Sequence, residues 1–200
     1  MTTKPFHQCA IPHKDILEGN FSMETYAAKL GEVHRKSKTC PDEYLDSKIF
    51  FKRTFHTKSF QNILNDVKAR LDGDRKKDSF NNVQTPFGGG KTHTLIGLLH
   101  KAKEWNAKTV VLDGIEMDPN TETFWGSIEK QLDGKIQKLT GQVPHGSTKL
   151  AEVLQKHQPL LILIDEAMHY VNAAKGIKVE KDTLADSTVN FFQQLTAAVS

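Results

Sequence analysis

Apolar positions along this 200-residue chain follow two kinds of pattern. The first repeats at spacings of three and four. Phe60, Ile63, Leu64, Val67 and Leu71 share one helical face, with Thr57 placed to cap the start and Gly73 following the end, so a helix over 57–71 is predicted. Leu95, Leu98, Leu99, Ala102 and Trp105 predict a helix over 91–105, and Leu184, Thr188, Phe192, Leu195 and Val199 one over 183–199. Shorter signals predict helices over 22–33, over 123–139 with an interruption at Asp133-Gly134, and over 148–157, ahead of Pro159. A further short segment begins at Pro41-Asp42 and leads to the aromatic run Ile49-Phe50-Phe51.

The second pattern is continuous rather than periodic. Leu160-Leu161-Ile162-Leu163-Ile164 is apolar at every position, which suits a strand covered on both faces in a parallel sheet. Thr109 to Leu112 predicts another strand, closed by Asp113-Gly114. Residues 80–84 read as a short strand entering a glycine-rich loop, against the weak strand preference of Asn81-Asn82. The charged stretch 175–182 reads as a mobile loop. Strands alternating with helices predict a doubly wound α/β fold, a three-layer sandwich around a mostly parallel sheet. Residues 1–56 form an accessory segment ahead of a core over 57–200.

Chemistry concentrates at two places. The run Thr85-Pro86-Phe87-Gly88-Gly89-Gly90-Lys91-Thr92 is close to the phosphate-loop pattern G-x-x-x-x-G-K-[ST], with Thr85 at the first glycine. That glycine mostly eases the exit from a strand, and a residue before proline is already extended. Three consecutive glycines let backbone N–H groups turn inward as a nest for phosphate oxygens, and the following helix adds its positive end. The expected nucleotide contacts are Pro86, Phe87, Gly88, Gly89, Gly90, Lys91, Thr92 and His93. Lys91 reaches the β- and γ-phosphates, and the Thr92 hydroxyl ligates Mg²⁺. The second place is Asp165-Glu166, at the end of the apolar strand, in the form of a Walker B motif. There Asp165 completes the Mg²⁺ shell, while Glu166 orients and deprotonates the attacking water. Together they predict a P-loop NTPase core with ATP and Mg²⁺, in which Lys91 and Glu166 act on the reaction. Asp165-Glu166-Ala167-Met168 departs from a DEAD/DEAH helicase box at Met168, and no N-K-x-D segment for guanine is present.

The run from Thr85 to Ile96 resembles the "FGGGKTH" loop of large bacterial and archaeal predicted ATPases of the AAA+ type. These form a domain-of-unknown-function family often encoded beside DNA methyltransferases in phage-defence or restriction-like clusters. Cys9 to Leu30, Asp118-Pro119 and Trp125-Gly126 are also similar to that family's early segments. The resemblance implies ATP rather than GTP, and a motor or switch within a DNA-directed defence complex. It also implies protein partners or homo-oligomerisation, with DNA reached through the complex. A regulatory scaffold that senses ATP without needing turnover is the alternative. An AAA+ core needs a further strand carrying a polar sensor, expected beyond Ser200, and no arginine follows Arg75 to serve as a finger. Residues 1–200 therefore read as the N-terminal part of a larger protein, hydrolysing poorly alone.

Composition changes this picture little. A net charge of +3, from 27 basic and 24 acidic residues, does not argue for nucleic acid, and Arg75-Lys76-Lys77 reads as a solvated loop. No apolar stretch reaches the roughly 18 residues of a membrane span, and the start lacks a secretory h-region. Two cysteines, Cys9 and Cys40, outside any CxxC pair, fit a cytoplasmic setting. With His13 and His34 they match no standard zinc spacing, so packing or surface positions are expected.

Overall fold

A computed structural model describes residues 5, 9, 14–19, 28–85 and 88–200. After a helical turn at Lys14–Leu17 come α1 (Leu30–Arg35), α2 (Asp42–Leu45), α3 (Ser47–Arg53), α4 (Lys58–Leu71) and α5 (Lys91–Glu104). Then follow β1 (Lys108–Asp113), α6 (Phe124–Asp133), α7 (Gly146–Leu154), β2 (Leu160–Asp165) and α8 (Ala167–Ala174). A small hairpin, β3 (Lys178–Val179) and β4 (Asp182–Thr183), leads into α9 (Leu184–Val199). Strands β1 and β2 pair in parallel, Lys108 beside Leu160 through to Asp113 beside Asp165.

Alternate residues of this pair enter two different cores. Val110 and Leu112, with Leu160, Ile162 and Ile164, pack against α6, α7, α8 and α9 around Phe124, Trp125, Tyr170 and Phe191. Val111, Leu161 and Leu163 face α1, α3, α4 and α5 around Leu30, Phe50, Val67, Ile96 and Leu99. Both faces of the pair are thus apolar and roofed, the arrangement that the unbroken apolar run requires. The fold is a mixed α/β sandwich, with the helices before β1 on one side and those after it on the other. Residues from α1, α3, α4 and α5 share one core. Helix α4 crosses α5 at Gly97, where a β-carbon would stand 2.6 Å from the Phe60 ring.

The expected helix over 57–71 forms at Lys58–Leu71, capped by the Thr57 side chain accepting from the Phe60 N–H. The last helix carries a capping box, Thr183 with Asp186. Several expectations are corrected. Residues 80–84 form no strand; the only described parallel sheet has two strands, and Phe80 stays half exposed. Asn81-Asn82 prefer turns, and no described strand is hydrogen-bonded to the segment. The helix expected over 123–139 ends at Asp133, where Gly134 takes a left-handed φ of 77°. Residues 175–182, expected as a loop, carry the hairpin, in which Val179 turns inward while its charged neighbours face water. The helix expected over 22–33 lies partly outside the described residues; from Ala28 on, it begins only at Leu30. The helix of 148–157 starts earlier, at Gly146, and its last turn, Gln155–His157, is 3₁₀. No described helix is long and apolar enough to cross a membrane.

Glu129 shows why α6 stops where it does. It is 1% exposed, and its carboxylate accepts the N–H groups of Gln137, Lys138 and Leu139 at 2.8–3.0 Å. Burial opposes its charge, but these bonds outweigh burial and hold the carboxyl below its usual range. The chain after Gly134 is folded back onto the helix it has just left. A folded-state pKa below the unfolded one gives stability that is present above the unfolded value and lost as pH falls through the folded one. Glu129→Gln is expected to cost about 2 kcal/mol at pH 7. By urea unfolding, the difference from wild type should shrink steadily below about pH 4.

Candidate functional site

Both strands end on an aspartate. Asp113 and Asp165 are partners in the ladder, two residues after Val111 and Leu163, which face the α1–α5 side. At a side-chain period of two, both carboxylates leave the sheet on that face. A helix start meets each of them. The Gly31 N–H in the first turn of α1 donates to Asp113 Oδ2 at 3.3 Å. The Thr92 hydroxyl in the first turn of α5 donates to Asp165 Oδ2 at 2.7 Å. The remaining oxygens accept backbone N–H groups just beyond the strands, from Ile115 and from Glu166, each at 3.1 Å. Both aspartates are 7% exposed. Burial pushes the Asp113 carboxyl up; the Ile115 and Gly31 bonds oppose this, while Glu116 and Asp165 add to it.

The loop before α5 has the backbone its glycines allow. Gly88 and Gly90 take left-handed φ values of 73° and 82°. Among the described residues, a β-carbon on either would meet nothing within 4 Å, so the space beside these two glycines is open. Gly90 is the N-cap and supplies no side-chain acceptor, which leaves the first N–H groups of α5 facing outward with the positive end of the helix. Lys91 is half-buried and, among the described residues, has no ion-pair partner.

Glu166 follows Asp165 at a φ of 47° and caps α8 from the outside, with its side chain exposed. A left-handed non-glycine residue is costly and is kept only where its surroundings enforce it. Here Gly114 enforces it: the Gly114 N–H donates to the Asp165 carbonyl at 2.9 Å. A β-carbon on Gly114 would lie 2.2 Å from the Glu166 carbonyl oxygen. The turns leaving the two strands are therefore pressed together, and the acid of the second is held out toward solvent.

The structure brings Thr92 and Asp165 into contact, sets Lys91 at the helix start and Glu166 one residue past the strand end. Gly88, Gly89 and Gly90 form the turn. Pro86 and Phe87 lie outside the described residues. The His93 ring stacks on Phe50 with centroids 4.5 Å apart, and Nε2 bonds the Thr54 hydroxyl at 2.9 Å. Burial lowers its pKa. Phe50 is core, Tyr44 is half-buried beside it and Ile49 is largely exposed, so the aromatic run supports α5. Cys40 is buried in the same core, its thiol pushed up by burial. Among the described residues no three His, Cys, Asp or Glu side chains gather to hold a metal by themselves.

Sequence reasoning had no route to Gly31 and Glu116. Arg35 grips Glu116 through two bonds, 2.7 and 2.9 Å, and this pair lies across Gly31. The only signal available was a glycine in the first turn of an apolar helix.

Residues 6–118, more than half of the chain, match the DUF499 N-terminal domain. The chain belongs to the DUF499 family. That match takes in α1, the glycine loop, α5 and Asp113, and ends before Asp165. No curated protein and no solved structure matches the chain.

In this DUF499 chain, a β-carbon on Gly31 would meet Glu116 Oε2 at 1.9 Å and its carboxyl carbon at 2.8 Å. Gly31→Ala is expected to cost about 1–3 kcal/mol in chemical denaturation, by forcing Glu116 off Arg35. Adding Glu116→Ala to it should recover most of that loss, because the obstruction leaves with the carboxylate.

Proposed function

We propose that the chain is a nucleotide-binding domain that takes MgATP at the end of β2. The observation that carries this reading is the 2.7 Å bond between Thr92 and Asp165, residues 73 positions apart. A glycine turn into a helix is common, and so is an acid after a buried strand. Joined at one point, they make the two halves of a phosphate-and-metal site.

The residues suit the group. Magnesium takes a few hard oxygen ligands from protein and fills its octahedral shell from phosphate and water. The Thr92 hydroxyl and the Asp165 carboxylate are such a pair. When bound, the ion neutralises charge on the β- and γ-phosphates. The space beside Gly88 and Gly90, the start of α5 without a side-chain cap and the Lys91 cation, which has no ion-pair partner among the described residues, offer a site for the triphosphate. Glu166, outside the metal pair and facing solvent, orients a water and accepts its proton during hydrolysis. The AAA+ character and the place in a DNA-directed defence complex, with protein partners, rest on the resemblance of the loop.

One observation favours the regulatory alternative, an ATP-sensing scaffold. The residue after Thr92 stacks on α3, and the residue beside Asp165 is bonded to α1. These contacts give occupancy of the loop a route to the N-terminal helices whether or not turnover follows.

Isothermal titration of the purified chain with MgATP is expected to show one site, lost or weakened at least about 100-fold in Lys91→Ala. Glu166→Gln should keep binding. Single-turnover phosphate release, which reads even slow hydrolysis, separates the two readings: a hydrolase loses it in Glu166→Gln, whereas a sensor shows the same response of its partners in both proteins. Equal affinity in wild type and Lys91→Ala removes the site altogether.

A further inference from the structure

A cleft of about 280 Å³ opens between the β3–β4 hairpin, α9 and the Val143-Pro144 turn. Its floor carries an unusual residue. Ser187 is 7% exposed, and its hydroxyl has no hydrogen-bond partner among the described residues, whereas Thr188, next along α9, bonds the Leu184 carbonyl. Buried hydroxyls are normally paired, because an unmade bond there is costly. Around Ser187 stand the carboxamides of Asn190, Gln193 and Gln194. The Gln194 oxygen is taken by the Gly146 N–H at 3.0 Å, which ties the far wall to α9.

The mouth of the cleft is acidic. Glu180 and Asp182 line it from the hairpin, and among the described residues neither carboxylate has an ion-pair partner. Glu180 is held in the tight turn at a left-handed φ of 54°. The cleft is smaller than the roughly 300–1,000 Å³ typical of sites for drug-sized ligands, so its size suits a single side chain. Two carboxylates, the carboxamides of Asn190 and Gln193 and a hydroxyl with no partner among the described residues line the cleft as acceptors.

We propose that this cleft receives the guanidinium of an arginine side chain from a protein partner. Guanidinium is the side-chain group that offers five N–H donors in a fixed plane with a full charge, whereas an ammonium is a compact point charge with three. The site is independent of the nucleotide reading, since none of its lining residues belongs to the glycine loop or to the strand ends.

The test is a ¹H–¹⁵N titration of the full 200-residue chain with N-acetyl-arginine amide, and in parallel with the lysine counterpart. Saturable shifts are expected at Ser187, Asn190, Gln193 and Gln194, weakened about fivefold in Asp182→Asn and again in Ser187→Ala. Asp182 is exposed on the hairpin, so its variant reports on binding even if Ser187→Ala perturbs folding. The proposal is overturned by an absence of saturation, by an unchanged response in Asp182→Asn, or by equal affinity for the lysine compound.

Discussion

Two parallel strands with both faces apolar must be roofed on both sides, and the rest of this molecule follows from that constraint. Leu160 to Ile164 offers no polar face to water, and its partner Thr109 to Leu112 is built in much the same way. The chain answers by placing its first five helices over one face and its last four over the other. Covering the first face lays α5 along the sheet with its N-terminus at the carboxyl ends of the strands. That is the end of an open α/β sheet where ligands bind.

Packing therefore explains how Thr92 finds Asp165. Ile96 and Leu99 fix α5 against Val111 and Leu163, and the first turn is carried to the strand end as a consequence. The same geometry repeats one strand over, where α1 brings Gly31 to Asp113. Two buried carboxylates side by side would repel each other. Each is offset by donors from its own helix start and from the turn beyond its strand.

What could be read from the residues alone was whatever a short period or a local motif encodes. Helices at 58–71, 91–104 and 184–199, the two strands, and the pairing of a glycine loop with Asp165-Glu166 all rest on such signals. What could not be read depends on residues distant in sequence. The fold-back that ends α6 depends on Glu129 meeting the N–H groups of 137–139. Asn81-Asn82 stay unpaired because strand formation needs a neighbour. His93 has every reason to be drawn with the phosphate loop until Phe50 and Thr54, some forty residues earlier, are seen to claim its ring. The left-handed Glu166 is set by Gly114 in the turn that leaves the neighbouring strand.

The proposed site stands on Thr92 and Asp165 acting as one magnesium-holding pair. A double-mutant cycle with Thr92→Val and Asp165→Asn, read as the gain in ATP affinity on adding Mg²⁺, tests it most directly. Each single variant is predicted to abolish most of that gain and the double variant to lose no more, since either change breaks the same pair. Losses that simply add, or a Mg²⁺ gain that survives in both single variants, would contradict the account.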